Sequence, residues 1–192
     1  MTQVNLHMSM SLDGFVTGPN DIVGNGLGDG GERLHDWMFD QSTAVDRKIV
    51  EEWHTSTGAV IMGKHSFDVG LEPWGENPPF HVPVFVLSHE AHKEIEKEGG
   101  TTYYFVTDGI ESALEKAQAA ADNKQIMLHG ANIFRQYLEA GLVDEVNIHL
   151  VSILLGAGKR LFEGLNTEQI GLEKMKVVET PAALHLTFHV LK

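Results

Sequence analysis

Ala59-Val60-Ile61-Met62-Gly63-Lys64-His65-Ser66-Phe67-Asp68 takes the chain from four apolar residues, through a glycine, into a polar and cationic turn. Four apolar residues in a row suit a strand covered on both faces, as in a parallel sheet flanked by helices. Gly63 lets the backbone turn tightly and lets another group approach closely. Lys64, His65 and Ser66 follow where a helix would begin, so a cation, a second donor and a hydroxyl join that helix's free N–H groups. Such a corner suits a phosphate. Ten residues alone also fit an ordinary strand-to-helix turn with a polar surface, so the rest of the chain has to decide.

The chain has 192 residues, enough for one domain with a sizeable core. Hydrophobic residues make up 42%, too many for a chain disordered by composition, and no apolar run reaches the ~20 residues a membrane helix needs. The first residues lack the basic start and apolar core of a signal peptide, which makes the cytoplasm the expected location. With 0 cysteines, disulfides and thiolate chemistry are excluded. A formal net charge of -13 repels nucleic acid and anionic membranes, so neither is an expected partner and any anionic ligand needs a local cationic cluster. Lys64, His65, His89, His92 and Lys93 are candidates for it.

Outward from the opening stretch, strands and helices alternate. Val4, Leu6, Met8 and Met10 alternate with Asn5, His7 and Ser9, a period of two that predicts a strand leading into Ser11-Leu12-Asp13-Gly14. Residues 18–31 are rich in glycine, with Pro19, Asn20, Asp21, Asn25 and Asp29 among them, and predict a mobile loop. Thr43 and Asp46 have the spacing of a capping box before a helix carrying Val45, Ile49 and Trp53. After a proline-rich connection, residues 82–87 read as a strand with Pro83 near its start. Residues 102–106 predict another strand, and Asp108 with Glu111 the cap of the next helix. Residues 126–128 run into Gly130, and the following helix turns Ile133, Phe134, Tyr137 and Leu138 inward before Gly141 ends it. Residues 143–155, 170–178 and 183–191 are strand-like with no helical period between them, which predicts an antiparallel edge after a parallel sheet. In the last of these, Leu184, Leu186, Phe188 and Val190 alternate with His185, Thr187 and His189, so both histidines are expected to face away from the core.

Met62-Gly63-Lys64-His65-Ser66-Phe67 resembles a signature of the dihydrofolate reductase-like family. Further stretches match in the same order: Ser11-Leu12-Asp13-Gly14-Phe15, Val86-Leu87-Ser88-His89, Leu128-His129-Gly130-Ala131-Asn132-Ile133-Phe134 and Gly141-Leu142-Val143-Asp144-Glu145. The block Leu155-Gly156-Ala157-Gly158-Lys159-Arg160-Leu161-Phe162 is similar to the branch containing the reductase domain of bacterial riboflavin biosynthesis. The resemblance spans nearly the whole chain. It implies a single α/β domain with a three-layer fold: a mixed, mostly parallel sheet, helices on both faces and an antiparallel C-terminal edge. It also implies NADPH as cofactor and hydride transfer to a small heterocyclic, imine or carbonyl substrate.

Carried over residue by residue, the resemblance puts Lys64, His65, Ser88 and His89 around the 2′-phosphate, with Leu87 beside them. Gly63, Ser66, Gly130, Ala131, Asn132 and Ile133 would lie along the pyrophosphate. The family has a glycine pair at that second corner, where this chain has His129-Gly130, and His129 reads as a structural residue pointing away from the cofactor. Folate reductases carry a carboxylate on the helix before the Met-Gly turn. Counting back reaches Arg47, so Asp46 is the candidate with a shift of one residue, while Asp36, Asp40, Glu51 and Glu52 compete. Asp13 is either an active-site group or a loop anchor.

The 11 histidines raise the question of a metal. The pairs His89/His92 and His185/His189 lack a third ligand at a recognisable spacing, so no metal site is expected. A noncatalytic dinucleotide-binding sensor is the alternative to an enzyme. The strand over residues 183–191 reads as an exposed edge with nothing after it to cover it, from which a homodimer through this region is expected.

Overall fold

The computed structural model describes residues 2–165 and 169–192. Its centre is the strand predicted by the opening stretch, β3 (Thr57–Gly63), buried along all but its last residue. β1 (Val4–Ser11), β7 (Gln125–His129), β4 (Pro83–Leu87) and β6 (Thr102–Val106) run parallel with it, and β8 (Glu145–Val151) continues the parallel set beyond β1. β10 (Leu172–Glu179) and β11 (Ala183–Val190) are antiparallel additions, and the short β5 (Ile95–Glu96) closes the far side. The sheet order is β10-β11-β8-β1-β7-β3-β4-β6-β5. A separate ribbon pairs β2 (Phe15–Thr17) with β9 (Lys159–Arg160).

Helices cover both faces, as three layers require. On one face α3 (Ile110–Ala120) and α4 (Ala131–Glu139) bury Ala113, Ala117, Phe134 and Tyr137 against Leu6, Ile61, Ile126 and Leu128. On the other, α1 (Ala44–Ser56) and α2 (Lys64–Trp74) bring Trp53, Phe67, Leu71 and Trp74 against Val60, Met62 and Met127. A third cluster forms where a 3-10 turn, Gly31–His35, delivers Leu34 and Trp37 onto Val151 and Ala183. The fold is α/β and dihydrofolate reductase-like, as the motifs implied. α4 turns Ile133, Phe134, Tyr137 and Leu138 inward as its period predicts, and Gly141 follows it in the left-handed region.

Several expectations are corrected. β11 is not the edge: β10 covers it, because the segment before β11 in sequence folds back along its free side. The edge is β10, which a bulge between Lys174 and Lys176 and the charges around it protect from strand addition. His185 is not turned to solvent. Alternation does place it opposite the α3–α4 side, but α1 and Trp37 cover that face as well, and His185 is 5% exposed. His189 is exposed as expected. α3 has Gly109 at its N-cap with no side-chain hydrogen bond, so Asp108 does not cap it. Within the loop over residues 18–31, Asn20 and Asn25 both donate to the Asp29 carboxylate, and Gly18 N donates to Leu27 O; its expected mobility is a separate matter from these contacts.

Candidate active site

Three helices start at the C-terminal ends of the parallel strands, and each is preceded by a glycine. α2 follows Gly63, α3 follows Gly109 and α4 follows Gly130, and none of the three has a side-chain cap among the described residues. α1 contrasts with them. Its N-terminus carries the full capping box, with Asp46 N donating to Thr43 Oγ1 (3.3 Å) and Thr43 N to Asp46 Oδ2 (2.8 Å). Three uncapped N-termini leave backbone N–H groups, and the positive ends of three helix dipoles, directed at one place. α2 and α4 have no acidic residue in the first turn to neutralise them.

The place is a cleft of about 810 Å3. Gly63, Lys64, His65, Ser66, Leu87, Ser88, His89, Gly130, Ala131, Asn132 and Ile133 all line it, so the structure brings together every residue assigned to the cofactor by resemblance. Gly130 has φ 100°, and a Cβ there would meet Ser66 Oγ at 2.5 Å. Only glycine fits this contact between the two corners. Gly63 similarly faces Ile133, whose Cγ1 lies 3.2 Å from where a Cβ would be.

The structure adds residues that sequence reasoning passed over. Lys159, Arg135, Thr107 and Gly109 also line the cleft. Gly109 had a legible signal, a strand followed by a glycine and a helix as at the other two corners. Lys159 stands within a matched motif but reaches the cleft only because β9 pairs with β2. Two of the cleft's cations are paired with acids: Lys64 Nζ donates to Asp68 Oδ1 at 2.5 Å, and Asp21 Oδ2 accepts from Lys159 Nζ and lies 3.0 Å from His65 Nε2. Asp21 comes from the glycine-rich loop, so that loop is fastened across one end of the cleft. Burial would raise the Asp21 carboxyl, but the Lys159 and His65 contacts hold it below its ordinary value.

Neither acidic residue named as catalytic lines this cleft. Asp13 accepts from Ser11 Oγ (2.6 Å), Leu155 N (3.1 Å) and Gly156 N (2.7 Å), which makes it the anchor between the first loop and the segment before β9. The Ser11 hydrogen bond, with those from Gly156 and Leu155, keeps its carboxyl low. Asp46 is 0% exposed. Beyond the capping box, its Oδ1 meets His185 Nε2 at 2.9 Å, a partner 139 residues away in sequence. Burial pushes its carboxyl up, and hydrogen bonds from Thr43, Thr180 and His185 outweigh that to hold it low. Both carboxylates are hydrogen-bonded within the chain. His129 turns away from the cleft, with its ring edge-on to Trp74 (5.6 Å) and Phe80 (5.8 Å).

A dihydrofolate reductase-like fold with a cleft at the strand ends, lined by three uncapped helix N-termini, defines the class. Residues 2–186 match the RibD C-terminal domain, and the chain belongs to that family. It is 24% identical over 166 residues to YyaP of Bacillus subtilis (strain 168), described as an uncharacterized protein, covering 83% of this chain and 80% of that one. Among solved structures, a candidate riboflavin biosynthesis protein from Shewanella sp. PV-4 superposes with TM-score 0.76 at 21% identity, covering 100% of both chains. A diaminohydroxyphosphoribosylaminopyrimidine deaminase/5-amino-6-(5-phosphoribosylamino)uracil reductase from Thermotoga maritima gives 0.67 at 15% identity, and this chain, matched over 99% of its length, spans 57% of it. A pyrimidine reductase-like protein from Corynebacterium diphtheriae gives 0.64 at 12% identity, with 100% and 92% covered. These likenesses establish the shared fold.

Proposed function

We propose that this chain is a cytoplasmic reductase that binds NADPH in the cleft and directs hydride to a small heterocyclic, imine or carbonyl acceptor of the pyrimidine type. The observation that carries the reading is the convergence of three uncapped helix N-termini with Lys64, Lys159 and Arg135 in one cleft, on a chain whose net charge is -13. A protein this acidic repels anions in general, so a concentrated cationic corner marks a specific anionic ligand. The residues fit a dinucleotide: two glycine corners, Gly63 and Gly130, permit close backbone approach, while Lys64, His65 and Ser88 supply separate donors for a further phosphate. When bound, the reduced nicotinamide supplies the hydride. The protein's part is to hold the phosphates, exclude water and orient the ring. Anion binding requires Lys64 to exchange Asp68, and Lys159 to exchange Asp21, for ligand oxygens.

A noncatalytic dinucleotide sensor is the second reading, favoured by one observation: Asp46, the candidate carboxylate on the helix before the Met-Gly turn, is enclosed and committed to capping and to His185. Spectrophotometric NADPH oxidation with pyrimidine aminoketones and pterins separates the two. Turnover supports the reductase; tight NADPH binding without turnover across the panel supports the sensor. We further propose a homodimer in which a second copy covers the sheet face around Met175, Val177 and Leu191, which are 60%, 49% and 52% exposed.

A further inference from the structure

Lys64 takes its acid from its own helix, Asp68 one turn on, but Lys159 and His65 take theirs from the glycine-rich loop. Lys159 belongs to β9 and His65 to the first turn of α2, and both line the cleft. Asp21 Oδ2 accepts from Lys159 Nζ and lies 3.0 Å from His65 Nε2, with 21% of its side chain exposed. Thr17, the last residue of β2, pairs with Lys159, so the chain doubles back almost at once to lay a carboxylate on that cation. To these two groups Asp21 offers what a phosphate oxygen would offer, a charged acceptor.

The loop's other hydrogen bonds stay inside it. Asn20 Nδ2 donates to Asp29 Oδ2 (2.7 Å), Asn25 Nδ2 to Asp29 Oδ1 (2.9 Å), Asp29 N to Pro19 O (2.8 Å) and Gly28 N to Asn25 O (2.9 Å). Among the described residues, no hydrogen bond from residues 19–27 leaves the loop except those of Asp21. Apolar anchoring is equally thin, since Ile22 and Val23 at the tip are 61% and 63% exposed. Gly26 lies against α2, where a Cβ would come within 3.0 Å of Val69 O, but it has no side chain to bury there. The return end passes through Gly28 and Gly30 at φ 69° and 73°, positions that glycine leaves free to turn. Internal ties thus give the loop a shape of its own, and one polar contact gives it its place over the cleft.

We propose that Asp21 is a built-in stand-in for the ligand's phosphate: in the free protein it latches the glycine-rich loop across the cleft, and an anion arriving at Lys159 and His65 displaces it and releases the loop as one body. Resting on the dinucleotide reading of the cleft, the latch makes binding ordered, because the cofactor opens the loop and the acceptor enters after it. The carboxylate stays ionised, since the burial that would raise it is outweighed by the Lys159 and His65 contacts. A half-exposed pair of this kind holds weakly, so a phosphate with several charged oxygens can compete for the same donors. The coupling is reciprocal: the anion loosens the loop by the same factor by which the latched loop weakens the anion.

The test measures the position of the loop directly. The chain has 0 cysteines, so two introduced ones take spin labels at chosen places on the full-length protein. Val23→Cys labels the loop tip and Glu115→Cys the exposed side of α3. Double electron–electron resonance should give one narrow distance distribution in the free protein. Inorganic pyrophosphate at millimolar concentration should broaden it, NADPH should do the same, and sodium chloride at matched ionic strength should not. Asp21→Asn and Lys159→Gln, one on each side of the latch, should each broaden it without ligand, lowering the ratio of latched to released loop by about tenfold, the worth of one charge-assisted hydrogen bond. Pyrophosphate should then add little. Asp68→Asn, which frees Lys64 alone, should leave the distribution as in the wild type. Broadening by pyrophosphate but not by NADPH supports the latch and counts against the dinucleotide reading alone. NADPH binding seen by calorimetry with the distribution unchanged or narrowed would overturn the latch and leave that reading in place. A distribution already broad in the free wild type, unchanged in Asp21→Asn, unmoved by either ligand, or broadened equally by Asp68→Asn or by salt would also overturn the proposal.

Discussion

His129→Leu tests whether the buried histidines on the α1 and α2 side make this protein sensitive to acid. The His129 ring sits between Trp74 and Phe80, its Nδ1 has no partner among the described residues, and burial, with His35 adding repulsion, lowers its pKa from 6.5 to about 4. The folded state holds the neutral ring while the unfolded chain takes up a proton near 6.5. The group's contribution is therefore fully present above 6.5 and is lost as pH falls from there toward 4, by about 3 kcal/mol in all. That is a large part of the ~5–15 kcal/mol stability of an ordinary domain. Leucine does not titrate, so relative to wild type the variant should gain about 2 kcal/mol between pH 7 and pH 5. At pH 7 the lost ring-edge contacts and the relief of an unpaired nitrogen, each about 1 kcal/mol, should nearly cancel. Urea unfolding at closely spaced pH values, with the m-value checked for constancy, gives the numbers. An equal difference between variant and wild type at pH 7 and pH 5 would refute the reasoning. The acid sensitivity that remains in the variant belongs to the other histidines that burial lowers, among them His35, His149, His185 and His7, the last lowered to about 3 by burial and by His54.

Lys64→Ala should weaken NADPH by about 1.5–3 kcal/mol, the worth of a charge-assisted contact, and NADH far less; equal losses in isothermal titration would remove Lys64 from the 2′-phosphate. Asp21→Asn should raise NADPH affinity several-fold, because Lys159 and His65 no longer have to leave a carboxylate to reach the ligand, and unchanged or weaker binding would count against that exchange. Light scattering at micromolar concentration should give twice the 21.2 kDa mass of the monomer and Met175→Lys should shift it toward monomer, whereas a monomeric wild type ends the dimer proposal.

The parts of this protein legible in its sequence are those decided within a few residues. A buried strand ending in glycine before a helix is one local event, and it is readable at Met62-Gly63 and Leu128-His129-Gly130 because backbone freedom and strand burial both leave their mark on neighbouring residues. The capping box at Thr43 and Asp46 is equally local and forms as its spacing predicts. Whether Asp46 faces a ligand or a partner is not local: His185, on a strand near the other end of the chain, takes the carboxylate's remaining oxygen. Alternation along β11 says that His185 and Thr187 share a face, but only the packing of α1 and Trp37 buries that face. Strand order is decided in the same way, since β10 and β11 compete for the same edge of β8 and nothing within either segment says which lies outside. Period and propensity act within a segment, so sequence alone determined the main strands and helices and the two glycine corners at Gly63 and Gly130. Pairing across more than a hundred residues depends on which surfaces meet, so only the tertiary structure decided the edge and the hydrogen-bond partners of Asp13 and Asp46.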